Sequence, residues 1–424
     1  MDGFEEQGEW WLPGREDDTR PGTLSFDPDT GATLALFGGL LGDDPGTYPR
    51  IFGTTGSGAY TLADCFQVRA SFPGFDGLGS EHIRVNQVLR GALFDNEPID
   101  ATAATFTLRS LVYWLDRTGL SDDRGNFQPP TDPDTPDLTV YGKILPNQIV
   151  PMGGGATVTI EHSLRVTGDS TSRTSIDQNF PVRIDLPDKA PIRDLLEVAS
   201  DVQGLVSIGL SRISSFDKMT FWHPDVVHPH SERSLPLPIE YFVAWSARSS
   251  DDPYTTIHPH QMAFTFPDVG GTQGLKRWMQ CAALHRAAIG RVMSSRFQPA
   301  MFVSDRLLNR CAALEAFDRG LSGAAGSRFK TRINRCSDLA GAPFAEVVGD
   351  THKWSEALRV ARDDVAHHLG RDIETTSQLY LADSAYWLFV MCMLRCMNAP
   401  EAAWKRLARF NELTWLKPLI QAVV

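Results

Sequence analysis

Hydrophobic patterning switches its period at Gly270-Gly271, and no single architecture accommodates both patterns. Ahead of that point, short runs rich in β-branched and aromatic residues alternate with Gly, Pro and Asp: Thr23–Phe26, Thr33–Phe37, Leu138–Lys143, Ala156–Arg165, Val182–Leu186, Phe216–Trp222, Ile239–Ala247 and Met262–Phe266. Their length and punctuation, as in Asp27-Pro28-Asp29-Thr30-Gly31, predict strands joined by turns. Two segments of this half, Ala103–Thr118 and Ile192–Leu210, repeat apolar residues at three and four and are expected to be helical. Ser121–Asp137, crowded with Pro and Asp, suits neither element and is expected to be an exposed loop. Beyond Gly271 the period is 3.6, with helices predicted over Leu275–Phe297, Ser304–Arg319, Ser327–Leu339, Lys353–Leu369, Glu374–Met397 and Pro400–Val423. Gly370 and Pro400 are the stop and start signals such helices use. The expected fold class is α+β: a mainly-β N-terminal recognition or regulatory region over residues 1–272, then an all-α helical bundle over residues 273–424.

The chain of 424 residues is two to three times a typical domain of ~150 residues. Its 42% hydrophobic composition supplies apolar surface for packed cores, which excludes disordered, collagen-like and coiled-coil classes. The longest uncharged apolar stretches, Ala32–Leu41 and Ser384–Leu394, are about half the ~20 residues of a membrane span, so no transmembrane helix and no membrane partner are expected. The acidic opening MDGFEEQGEWW lacks the basic-then-apolar order of a secretory signal, which makes the cytoplasm the expected compartment. Six cysteines without a C-x-x-C pair read as reduced thiols. The formal charge of −12 argues against a polyanionic partner until the chain is divided. Residues 281–424 hold 19 Lys and Arg against 14 Asp and Glu, net +5, which leaves 21 against 38, net −17, for residues 1–280. Any polyanion is thereby assigned to the C-terminal third.

The sharpest local feature is Arg362-Asp363-Asp364-Val365-Ala366-His367-His368, near the end of a predicted helix. A fixed cation and a group titrating near neutrality are what metal-free RNA cleavage needs. Histidine can take the proton of a ribose 2′-hydroxyl or return one to the leaving 5′-oxygen, while guanidinium stabilises charge on the phosphoryl oxygens. Asp363 lies one turn before His367 and is expected to hold its imidazole; Asp364 stands in the same relation to His368. A solvated helix end, with Asp–His pairs and cations favoured by the macrodipole, explains the same spacing without chemistry. At about 100° per residue, His367 falls about 140° from Arg362 and His368 about 120° from it on the other side, so one helix cannot bring both groups together. A two-fold interface between copies, which presents each residue twice, can.

On a helix of a C-terminal all-α region, this Arg–Asp–x–x–x–His order resembles the motif of HEPN ribonucleases, in which arginine, a polar residue and histidine line a dimer cleft. The upstream segment Cys311-Ala312-Ala313-Leu314-Glu315-Ala316-Phe317-Asp318-Arg319 resembles the first helix of the Apea-like HEPN subgroup. Gly8-Glu9-Trp10-Trp11-Leu12-Pro13-Gly14, Pro21-Gly22-Thr23-Leu24, Ile51-Phe52-Gly53-Thr54-Thr55 and Tyr60-Thr61-Leu62 resemble the N-terminal domain that accompanies that HEPN in prokaryotic antiphage proteins. The resemblance implies a homodimeric, metal-independent endoribonuclease with no cofactor, which halts an infected cell by cutting RNA, tRNA among the expected substrates, on a phage-derived trigger. It carries the active residues onto Arg362, Asp363 and His367, with His368 a secondary candidate.

Other constellations define the alternatives. A catalytically silent helical module that binds nucleotide or RNA is the first. A metal-dependent hydrolase is the second, with His223, His228-Pro229-His230 and His258-Pro259-His260 offering imidazoles and Asp225 a carboxylate, although loop histidines at turns are the simpler reading. Arg328, Lys330, Arg332 and Arg335 are candidate contacts to RNA phosphates, with Phe329 available for stacking, or else a solvated helix face. Gly53-Thr54-Thr55-Gly56-Ser57-Gly58 imitates a phosphate loop but lacks the Lys-Ser/Thr and leads into a strand. Trp10 and Trp11 are expected in a core, as are Cys392 and Cys396 among their neighbouring methionines.

Overall fold

The structure, a computed structural model, describes residues 2–40, 46–71, 79–124, 138–169, 171–228, 235–244, 256–298, 300–324, 326–367 and 374–424. Its first six strands are β1 (Phe4–Trp11), β2 (Arg20–Asp27), β3 (Gly31–Phe37), β4 (Thr47–Thr55), β5 (Gly58–Ser71) and β6 (Ser80–Arg90). They pair antiparallel in the order β1-β2-β3-β6-β5-β4 and back to β1, closing a barrel that leaves no free edge among them. Alternate residues such as Leu24 and Phe26, Leu34 and Leu36, and Ile83 and Val85 point inward and form its core.

Trp10 organises that core. It is fully buried, its indole N–H donates to the Gly22 carbonyl at 3.2 Å, and the Tyr60 ring meets it edge-on at 5.9 Å. Its cross-strand partner is Gly53, where a β-carbon would lie 2.2 Å from the indole ring, so only glycine leaves room for the tryptophan. The N-terminal segments singled out in the sequence thus converge on one side chain. Gly53 to Gly58 form the β4–β5 hairpin, as expected of a segment running into a strand.

The chain continues through β7 (Asp100–Leu108), α1 (Leu111–Leu115), β8 (Leu120–Arg124), β9 (Leu138–Gly142), β10 (Gln148–Gly153), β11 (Ala156–Ile160), β12 (Ser163–Gly168), β13 (Thr174–Asn179), β14 (Val182–Pro191), α2 (Ile192–Leu210), β15 (Phe216–Trp222) and β16 (Ile239–Phe242). β16 joins the far part of β6 and extends the barrel wall as β16-β15-β7-β14-β11-β10, while β8–β9 and β12–β13 form separate pairs. The helical region comprises α3 (Gly271–Phe297), α4 (Val303–Ser322), α5 (Phe329–Ala340), α6 (Ala342–Val348), α7 (Thr351–His367), α8 (Thr375–Cys396), α9 (Glu401–Leu407) and α10 (Asn411–Val423). The α+β class and the order of its halves are as expected.

Several elements differ from expectation. Ala103–Thr118 is mostly strand: β7 ends at Leu108, and only one helical turn follows. The small residues Ala101, Ala103 and Ala104 are buried between β14 and β15, and that two-sided packing overrides their helical preference. Met262–Phe266 is no strand. It is a buried connector whose backbone is satisfied by helix ends, Ala263 N–H donating to the Gly209 carbonyl at 2.8 Å and Phe266 N–H to the Trp114 carbonyl at 2.8 Å. Ala156–Arg165 divides at Glu161-His162 between two sheets, and Pro400–Val423 breaks into α9 and α10. Leu120–Arg124 is paired strand rather than loop, while residues 125–137 lie outside the described residues. α8 is long and apolar enough to cross a membrane, and 72% of its apolar window is buried inside the fold, as in a core helix.

The period switch at Gly270-Gly271 marks the start of α3 but not a gap in packing. A second core runs without interruption from β7, β14 and β15 through α2 into every long helix of the C-terminal half. At this junction the Trp278 indole N–H donates to the Asp201 carbonyl at 2.8 Å, and Arg286 pairs with Asp201 at 2.9 Å and Glu197 at 2.5 Å. Part of the charge segregation is therefore used here, where carboxylates of the acidic half meet a cation of the basic half.

Candidate active site

α7 begins behind Asp350, whose carboxylate accepts the N–H groups of His352 and Lys353 at 2.9 and 3.0 Å. These bonds hold the Asp350 carboxyl below its usual range. Trp354, Leu358 and Ala361 form the buried stripe of the helix, and the Trp354 indole N–H donates to the Ser384 hydroxyl at 2.8 Å, locking α7 to α8. That attachment leaves the opposite stripe to carry charge.

On that stripe Glu356, Arg359 and Asp363 form a ladder, with Arg359 bonded to Glu356 at 2.5 Å and to Asp363 at 2.8 Å. Lys330 at the start of α5 reaches Glu356 at 2.7 Å. Arg359 first, and then Lys330, hold the Glu356 carboxyl down to about 2. Arg362 is half-buried. One of its guanidinium N–H groups donates to Asp363 at 3.0 Å, and its charge lies 5.4 Å over the Phe329 ring. With 30% of its side chain exposed, the guanidinium can be reached by an anionic oxygen.

The carboxylate expected to orient His367 is occupied elsewhere. Both Asp363 oxygens go to guanidinium groups, one to Arg359 and one to Arg362, because charge-assisted bonds to two cations outcompete one to an imidazole at the same four-residue spacing. His367 is the last residue of α7 and is exposed. Arg362, Asp363 and His367 therefore share one helix end, with arginine and aspartate in contact and histidine apart. His368 lies outside the described residues. Glu356 and Arg359 are not among the expected site residues, although their i, i+3 and i, i+4 spacing up to Asp363 is a readable signal.

The basic run of α5 is divided by the fold, which corrects its reading as one RNA-binding face. Arg332 is buried, bonded to Asp318 of α4 at 3.2 Å and to the carbonyls of Ser327 and Ala324 at 3.1 and 2.9 Å. Arg335 clamps the same carboxylate at 2.5 Å. These two arginines neutralise a buried aspartate and fasten α5 to α4; Arg328 and Lys330 are left at the surface beside Phe329.

The histidine-rich segments do not assemble. His223 is buried, with one ring nitrogen 3.1 Å from Asp100 and the other accepting the Asp225 N–H at 3.1 Å. The His258 and His260 rings stack on each other at 5.6 Å, His228 belongs to a separate strand-like turn, and His230 lies outside the described residues. Among the described residues no group of three His, Cys, Asp or Glu side chains is placed to hold a metal ion.

A family model described as ApeA N-terminal domain 1 matches residues 5–278, more than half of the chain, and takes in the barrel, the continuing sheet, α2 and the opening of α3. No curated protein and no solved structure matches the chain.

Proposed function

The chain belongs to the ApeA family, an antiphage-defence family, and from that premise we propose that its helical half is a HEPN-type endoribonuclease acting in the cytoplasm as a homodimer. The observation that carries the reading is the end of α7, where a half-buried Arg362 guanidinium and an exposed His367 imidazole occupy one helix terminus on different sides. Two such ends facing each other across a two-fold axis supply a cation and an acid–base group to one phosphodiester. His367 takes the proton of the ribose 2′-hydroxyl, Arg362 stabilises the charge that develops on the phosphoryl oxygens, and Asp363 fixes the guanidinium. Attack by the neighbouring hydroxyl needs no hydrolytic metal: the bond from phosphorus to the 5′-oxygen breaks, that oxygen takes a proton and leaves as a 5′-hydroxyl, and a 2′,3′-cyclic phosphate remains. Arg328 and Lys330 hold the RNA backbone, tRNA being the expected substrate, and the β-rich half receives a phage-derived trigger.

The test is incubation of purified full-length protein with total cellular RNA in excess EDTA, with the cut ends mapped and the assembly state measured by light scattering. Cleavage with 2′,3′-cyclic phosphate ends is expected from a dimer, and its loss in Arg362→Ala and in His367→Ala without loss of dimerisation; His368→Ala is expected to be milder. Full cleavage by His367→Ala, 3′-hydroxyl ends or a requirement for added Mg²⁺ would overturn the reading. RNA binding without any cleavage would instead favour the silent module.

A further inference from the structure

Among the six cysteines, Cys65, Cys281, Cys311, Cys336 and Cys392 are buried, and Cys396 alone is half-exposed. Cys396 closes α8, and its sulfur lies 2.8 Å from that of Cys281 on α3, a residue 115 positions earlier in the chain. That separation falls between the bonded length of about 2.05 Å and ordinary non-bonded contact, with two different helices supplying the partners. One turn after Cys281 stands His285, which is buried, interacts with the Cys396 sulfur, and keeps an Nδ1 that finds no hydrogen-bond partner among the described residues. The helix is broken at this residue, whose backbone (φ −124°, ψ 16°) is not helical, and the ring lies tilted against Phe317, with centroids 4.4 Å apart. A kinked turn, an unsatisfied imidazole and two thiols in contact are more than the packing of two small hydrophobes requires.

We propose that Cys396 and Cys281 form a hydroperoxide-reactive dithiol in which Cys396 attacks and Cys281 resolves. The Cys396 thiolate attacks the terminal oxygen of a hydroperoxide; the O–O bond breaks, the leaving alkoxide takes a proton, and Cys396 becomes a sulfenic acid. Cys281 then attacks that sulfur, the S–O bond breaks, water leaves, and the disulfide forms. Two thiols lose two electrons in total, and the hydroperoxide is reduced to an alcohol, or to water when it is hydrogen peroxide, plus the water released in the second step. The product staples α3, which carries the junction to α2, onto the end of α8.

The surroundings favour this division of labour. Contact with the Cys281 sulfur first, and with His285 second, brings the Cys396 thiol below its ordinary range, while the same contact pushes the Cys281 thiol up. The other titratable or charged groups facing the pair are Arg277 of α3, whose side chain donates to the Met397 carbonyl at 2.7 Å, and Cys392 one turn earlier on α8, which in turn faces Cys336 of α5 and Asp318 of α4. Burial raises the thiols of Cys65, Cys311 and Cys392, which keeps them inert under the same oxidant. His285 is a positioning residue, acting through Cys396. This inference is independent of the ribonuclease reading.

The experiment uses the full-length reduced chain with one equivalent of hydrogen peroxide, followed by intact-mass measurement and peptide mapping without reduction. A loss of two hydrogen masses is expected, with one linked peptide pair joining Cys281 to Cys396. In Cys281→Ser, dimedone should trap a sulfenic acid at Cys396; in Cys396→Ser neither product should form. Iodoacetamide at pH 6 should label Cys396 ahead of the other five cysteines in the native chain, and that preference should vanish in urea. His285→Gln should slow the labelling about tenfold at pH 6 and move its pH profile upward while leaving the circular dichroism unchanged, a shift a packing role would not produce. An unchanged mass after peroxide, a link between any other pair, or native labelling without preference for Cys396 would overturn the proposal.

Discussion

Replacing Asp318 by alanine removes a carboxylate that neutralises Arg332 inside the helical core. Asp318 and Arg332 are each only 2% exposed, so neither charge has recourse to water once its partner is gone. Breaking a buried pair by deleting one member costs about 3–5 kcal/mol, a factor of roughly 10² to 10³ or more in the folding equilibrium. Arg335, with 36% of its side chain exposed, can turn to solvent instead. Arg335→Ala leaves Asp318 paired with Arg332 and is expected to move the unfolding midpoint far less. Urea titration followed by far-UV circular dichroism, which the helical half dominates, reads both variants as midpoint shifts. Asp318→Leu combined with Arg332→Met removes both charges while keeping most of the volume, and should recover much of the loss. Recovery should be incomplete because Arg332 also serves the carbonyls of Ser327 and Ala324. Equal, small shifts for Asp318→Ala and Arg335→Ala would refute the reasoning. So would an Arg332→Ala protein of unchanged stability that had merely lost RNA affinity, which is what a solvent-facing basic run entails.

In the barrel, Gly53→Ala drives a β-carbon to 2.2 Å from the fully buried Trp10 ring, and overpacking of this kind costs about 1–3 kcal/mol or more. Hydrogen exchange of the β1 and β4 amides should accelerate accordingly, and unchanged protection would show that the indole can move aside. Near the candidate site, the Glu356 carboxyl falls from its ordinary 4.5 to about 2 through Arg359 and Lys330. A carboxyl depressed in the folded state stabilises above its unfolded value, and that contribution fades as pH falls from about 4.5 toward 2. Glu356→Gln should therefore be less stable than the parent near neutrality and converge with it in acid; a stability difference that is constant over that window would contradict the pairing.

What could be read along the chain is what depends on near neighbours. The switch of hydrophobic period located α3, and the same periodicity recovered α2 as Ile192–Leu210 and strand β15 as Phe216–Trp222. It also put Arg362, Asp363 and His367 on one helix close to its end, because residues within a turn of each other share a geometry that spacing alone determines. Even there, competition mattered. Asp363 has a cation four residues before it and an imidazole four residues after it, and the stronger, charge-assisted bond takes the carboxylate.

Closure of the barrel, the strand made of alanines in β7, the burial of Arg332 and the meeting of Cys281 with Cys396 belong to tertiary structure alone. None of them leaves a periodic trace, since each depends on groups far apart in sequence that lose water together. An alanine run takes the conformation its neighbouring strands allow, and an arginine becomes structural only where another helix delivers a carboxylate to it. Local pattern sets which elements can form; the shared desolvation of distant side chains decides which faces are buried, which charges are paired and which remain free to meet a substrate.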